Sequence, residues 1–181
     1  MDKKEFLKNK LQDYGVLIAL VILVVGISIA SPHFRTFDNF MSLLRQSSIN
    51  GFIAFGMTCV ILTGGIDLSV GSVLALTTAF CAYFIKAGMS VGMAMVIALL
   101  CGTFLGTING LLVTKCRLQP FIATLITMTV YRGLTMIFTG GKPISNLGDS
   151  AFLKFIGKGA IVKIPFPVII FLIVFVIFLF L

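Results

Sequence analysis

Charge is scarce in this chain. Of its 181 residues only 11% are Asp, Glu, Lys or Arg, whereas 59% are hydrophobic, and the mean hydropathy is +1.13. A soluble domain is about a quarter charged and under half apolar, so the solvent for the surplus apolar surface is lipid. The chain reads as one membrane-embedded body. Histidine is nearly absent: His33 follows Pro32 in a polar stretch, with no second ligand near it, and marks no metal site. Cys59, Cys81, Cys101 and Cys116 lack CxxC spacing and lie in or beside apolar runs, so neither a zinc site nor a disulfide framework is indicated. HExxH, paired intramembrane acids and a Ser–His arrangement are all missing, which argues against a membrane-embedded enzyme. No cofactor site is legible. The net charge of +8 does not signal nucleic acid, because the basic residues are scattered in short loops without interleaved aromatics. Lys and Arg at lipid headgroups account for it.

What is present is a series of long apolar runs. Six are close to the ~20 helical residues that a bilayer core requires: Tyr14–Ala30, Ile49–Thr63, Val70–Ala87, Ser90–Thr114, Phe121–Phe138 and Ile164–Leu181. They are continuous rather than alternating, which excludes a β-barrel, and backbone facing lipid must be hydrogen-bonded internally, so each is expected to be helical. The first run follows a basic leader, residues 1–13, and five more come after it, so it is an uncleaved membrane helix rather than a signal peptide. The expectation is an all-α, polytopic transmembrane bundle of about six spans, with a broken or hairpin segment at 63–70. Between the first two spans, Phe37, Phe40, Met41 and Leu44 fall on one helical face and predict a short helix lying at the interface. GGKPISNLGDSAFLKFIGKGAIVKIPFP, residues 140–167, reads as the single long loop.

Orientation is not decided by charge. With the N-terminus inside, inner segments hold Lys3, Lys4, Lys8, Lys10, Lys115 and Arg117; outer ones hold Arg35, Arg45, Lys86, Lys142, Lys154, Lys158 and Lys163; Arg132 is intramembrane. The basic leader favours the N-inside arrangement. The chain stops within VIIFLIVFVIFLFL, and truncation is the expectation.

ILTGGIDLSVGS, residues 61–72, interrupts the apolar pattern. The run before it spans only about 22 Å as a helix, short for a core of about 30 Å. Gly64 and Gly65 break it, and Asp67 with Ser69 opens the next. Transporters use broken helices to expose backbone and helix ends at membrane depth, and an intramembrane acid is a functional candidate. The plainer reading has Asp67 or Ser69 capping the following helix while the glycines close the preceding one. The two readings are compatible.

Two further spans are informative. The third carries Gly71, Ala75 and Ala79 at spacing four, and the fourth carries Ala98, Gly102, Gly106 and Gly110. Such stripes predict close helix crossings. In the fifth, Thr124, Thr127, Tyr131, Arg132 and Thr135 fall within an arc of about 140°. Hydroxyls bonding their own helix explain most of that arc; lining of a hydrated path is the alternative. Arg132 snorkels from within its helix, or pairs with Asp67.

At GMTCVILTGGIDLSVGSVLALT and QPFIATLITMTVYRGLTMIFTGGKPI the chain resembles the permease subunits of ribose-type ABC importers. NGLLVTKCRLQPF and SPHFRTFDNFMSLLRQSSINGFIAFGMT fit the same pattern. The resemblance implies a bacterial inner-membrane protein that receives a monosaccharide from a periplasmic binding protein. It also implies two permease copies on an ATPase subunit that supplies the energy. Family members are much longer, and their cytoplasmic coupling segment follows the sixth span, so 14–181 corresponds to an incomplete permease domain with a cytoplasmic N-terminus. Ribose is the expected sugar, because the matched blocks look most like that branch. An ion-coupled secondary transporter using Asp67 is the competing class.

Overall fold

The computed structural model describes residues 14–180; the basic leader expected over 1–13 lies outside the described residues. The described residues fall into two compact units, divided between Gln46 and Ser47. Seven α-helices are described: α1 Gly15–Ala30, α2 Phe37–Leu62, α3 Val70–Lys86, α4 Val91–Thr114, α5 Pro120–Thr139, α6 Ala151–Lys158 and α7 Phe166–Leu179. A helix thus stands at each of the six predicted apolar runs. The architecture is helical, with one two-stranded hairpin, β1 Ala160–Ile161 against β2 Ile164–Pro165.

In the first unit, α1 buries no residue and is apolar all round, the pattern of a helix whose solvent is hydrocarbon. It ends at Ser31, whose N–H donates to Ile27 O, and Pro32 opens a 3₁₀ turn, Pro32–Arg35. Thr36 then starts α2: its Oγ1 accepts the Asn39 N–H at 3.3 Å and donates to His33 O at 2.8 Å. The expected separation of a surface helix from the second span does not occur, since α2 runs unbroken from Phe37 to Leu62. Polar residues 45–48 look like a turn, but none of them is a helix breaker, and Ser and Gln are tolerated within helices.

The second unit is organised around α3, which packs on both α4 and α5. Leu76 of α3, Leu105 of α4 and Tyr131 of α5 meet in its core, with Val73, Phe80 and Cys101 against them. Ala94 and Ala123 are fully buried, small side chains that let these helices approach closely. Ser90 caps α4 by accepting the Met93 N–H, and Gly140, at φ +61°, closes α5 in the left-handed conformation that glycine adopts without cost.

A second packing centre joins α2 and α7. Phe55 stacks on Phe171 at 5.3 Å and on Phe178 at 5.0 Å, and Phe52 meets Phe171 edge-on. Gly51 makes this possible: a Cβ there would collide with the Phe171 ring.

The predicted long loop contains structure that the sequence reading passed over. Ser150 caps α6 by accepting the Leu153 N–H. Phe152, Leu153, Phe155 and Ile156 alternate there with Lys154 and Lys158, an amphipathic pattern. The hairpin that follows turns at Val162 and Lys163, both at positive φ, 51° and 67°. Because Ile164 and Pro165 belong to that hairpin, α7 starts two residues later than the apolar run. By length and composition α4 and α5 are each sufficient to cross a membrane, whereas α1, α3 and α7 are shorter apolar helices.

Candidate functional site

The Gly64–Ser69 loop is where the second unit concentrates its polar chemistry. Gly64 N–H donates to Ile61 O at 2.9 Å and Gly65 N–H to Val60 O at 3.0 Å, ending α2. Gly64 sits at φ +75°, a conformation that costs a side-chain-bearing residue about 1–2 kcal/mol. Gly65 answers to space instead: a Cβ there would press on Val60 at 3.2 Å.

Asp67 holds the far end of the loop. Its Oδ1 accepts the Ser69 N–H and the Ser69 hydroxyl, both at 2.7 Å. Ser69 is the N-cap residue of α3, but its side chain caps no helix amide; its hydroxyl donates to Asp67 and accepts from Asn109 instead. Asn109 of α4 donates from Nδ2 to Ser69 Oγ at 2.7 Å. Asp67, Ser69 and Asn109 thus form one polar chain linking the loop to α4. Ser69 is 0% exposed and Asn109 6% exposed. From α5, Thr124 donates to Ile66 O at 3.2 Å and to its own helix at Pro120 O at 2.8 Å.

These partners set the depth of the loop. Asn109 lies five residues before the end of α4, about 7.5 Å, and Thr124 four residues after the start of α5, about 6 Å, at 1.5 Å per residue. The loop therefore reaches about one helical turn inside the ends of its neighbours. A cavity of about 300 Å³ opens between it and α4, with Gly106, Asn109, Gly110 and Thr114 on the α4 wall and Thr63 and Thr124 on others.

The remaining predicted site residues separate. Thr127 is buried and donates to Thr124 O; Tyr131 is buried and its hydroxyl donates to Leu105 O of α4 at 3.2 Å. Both sit in packed helix contacts. Arg132 is one residue further on, about 100° around α5, and is exposed. Eight residues, about 12 Å of helix, separate it from the level of Thr124, and no ion pair with Asp67 is described. The small-residue stripes also divide. A Cβ at Gly102 would stand 3.5 Å from Thr77 of α3, an ordinary contact. At Gly71, Gly106 and Gly110 a Cβ would meet no atom within 4 Å, so the close crossings expected there are not made among the described residues. Helix α4 approaches α3 through Gly102 and turns Gly106 and Gly110 towards the cavity. Asn109 escaped notice in sequence, although a lone carboxamide within an apolar helix is itself a signal.

A helical body with two apolar helices of membrane length and a polar break between α2 and α3 is the architecture of a polytopic membrane protein with an interrupted helix. The family model described as the permease component of branched-chain amino acid transport systems matches residues 39–181, and the chain belongs to that family. It is 49% identical over 167 residues to the ribose import permease of Bacillus subtilis, covering 92% of this chain and 52% of that one. With the ribose import permease of Haemophilus influenzae it shares 49% over 160 residues, 87% of this chain and 50% of the relative. The D-allose transport system permease of Escherichia coli is 38% identical over 163 residues, 89% and 49% respectively. The chain thus spans about half the length of the curated relatives it matches. No solved structure matches it.

Proposed function

We propose that the chain is part of the permease subunit of an ABC importer for a monosaccharide, ribose, in the bacterial inner membrane. One observation carries the reading: identity of 49% with a ribose import permease along 92% of this chain. The polar break between α2 and α3 supports it, because exposed backbone and helix ends at membrane depth are what a transporter builds from interrupted helices. The subunit has no catalytic role. Hydrolysis of ATP belongs to an ATPase partner, sugar arrives from a periplasmic binding protein, and a second permease copy completes the path. The N-terminus is cytoplasmic and the six apolar runs are membrane spans. With that orientation, the Gly64–Ser69 loop, the end of α4 and the start of α5 face the cytoplasmic side. Asp67 serves the loop as its hydrogen-bond anchor, and Ser69, Asn109 and Thr124 fix the loop to the helices beside it. Thr127 and Tyr131 hold α5 in the bundle, and Arg132 reaches toward a lipid headgroup.

The test is uptake of radiolabelled ribose by cells lacking their own ribose permease. These cells express the gene encoding this chain together with its ATPase and binding-protein partners. Uptake that depends on ATP and on the binding protein is expected. Uptake that survives loss of the ATPase and collapses with the ion gradient would establish a secondary transporter instead.

A further inference from the structure

The cavity beneath the Gly64–Ser69 loop has a one-sided hydrogen-bonding character. Three threonines line it, and each has already spent its proton: Thr63 on Val60 O, Thr114 on Gly110 O and Thr124 on Pro120 O. Their oxygens can only accept. Asn109, also in the wall, uses Nδ2 on Ser69, while its Oδ1 is buried and has no partner. A buried acceptor left unmade costs about 1–3 kcal/mol, so this atom calls for a donor from outside the present fold. Gly106 and Gly110 leave the same wall open, with nothing within 4 Å of a Cβ at either. Val60 and Ile66 add apolar surface to the lining.

A site whose polar side chains, the Asp67 carboxylate among them, accept but do not donate selects a ligand rich in O–H groups with an apolar ring face. Its volume, about 300 Å³, lies at the lower limit of small-molecule pockets, about 300–1,000 Å³, and is enough for one sugar ring. We propose that this cavity is a binding site for a single monosaccharide, held by Asn109 Oδ1 and the threonine oxygens. The inference rests on the proposed function and goes beyond it by placing a stopping point for the sugar within one permease chain, between the loop and α4.

Gly110 supplies the test, because a side chain there enters the cavity without displacing a neighbour. Gly110→Cys is introduced with the native cysteines replaced by Ser, expressed with the ATPase and binding-protein partners, and labelled with a bulky maleimide only after folding. Millimolar D-ribose is expected to slow labelling at least threefold, whereas L-leucine at the same concentration leaves the rate unchanged. Labelled transporter is expected to lose ribose uptake at least tenfold relative to the unlabelled variant. Labelling at the same rate with and without ribose, with uptake intact afterwards, overturns the site while leaving the permease reading standing. Protection by NaCl and not by ribose also overturns it, in favour of a cation. Absence of monosaccharide uptake by the unsubstituted protein overturns the permease reading itself. Should Gly110→Cys reduce folded yield, Gly106→Cys, one turn away on the same open wall, decides by the same two measurements.

Discussion

Removing the Asp67 carboxylate tests what holds the loop in place. Its Oδ1 accepts two hydrogen bonds from Ser69, and bonds to a charged group contribute about 1.5–3 kcal/mol each. Asp67 is partly exposed, so the lower figure applies, and Asp67→Ala is expected to cost about 3 kcal/mol, roughly a hundredfold in the folding equilibrium. Asp67→Asn keeps an oxygen at the same position and converts charged bonds to neutral ones, for a cost of about 1 kcal/mol. The measurement is equilibrium unfolding in mixed micelles on raising the SDS fraction. The chain has no tryptophan, so tyrosine fluorescence reports, with Tyr131 in the adjoining core. Uptake should survive in Asp67→Asn, because a neutral sugar requires hydrogen bonds rather than a counter-charge. If both variants unfold within about 0.5 kcal/mol of the parent, the range of an ordinary surface change, the anchoring argument is wrong. If Asp67→Asn is stable but transports nothing, the charge itself serves the path.

The other expectations concern packing and turns. Gly51→Leu should drive a side chain into the Phe171 ring and lower stability by about 1–3 kcal/mol, the usual cost of overpacking; full stability in the same SDS titration would mean that α2 and α7 do not meet there. Gly106→Leu should leave folded yield unchanged, because the Cβ meets open space, and loss of detergent-stable protein would count against that. Tyr131→Phe should cost about 0.5–1.5 kcal/mol through the lost bond to Leu105 O, and an unchanged unfolding midpoint would argue against the contact. At the hairpin, Val162→Asn with Lys163→Gly should slow proteolysis within 159–166. Those types suit the two positive-φ positions of a type I′ turn, which Val and Lys occupy under strain; faster cleavage would refute the turn assignment.

The helices were legible because each long apolar run had nowhere to go but a hydrogen-bonded helix in lipid. The break at Gly64 and Gly65 was legible because two adjacent glycines seldom continue a helix. The continuity of α2 was not, since Arg45, Gln46, Ser47 and Ser48 look like a surface turn by polarity while being acceptable to a helix by backbone geometry. Helix α6 was hidden by its eight residues, too short for a hydropathy run and visible only in the spacing of its phenylalanines. On α5, a broad arc drawn around the helix axis merged Tyr131, which is buried, with Arg132, which is exposed; one step of 100° separates interior from exterior. The small-residue stripe indicated a surface open to close approach but not what approaches it: Gly102 faces Thr77 and its neighbours a turn and two turns on face a cavity. The Asp67–Ser69–Asn109 chain crosses forty residues between Ser69 and Asn109, a pairing that no local pattern announces.

The notch at Gly51 has a consequence for the order of biosynthesis. The ring that fills it belongs to Phe171, 120 residues further along. At ribosomal rates of about 5–20 residues per second, the two are made roughly 6–24 s apart. Under the proposed topology, α2 spends that interval with a bare backbone groove at Gly51 and with Phe52 and Phe55 unstacked against Phe171, while α3, α4 and α5 are still being made. The last helix of the unit is therefore the one that seals one of the earliest.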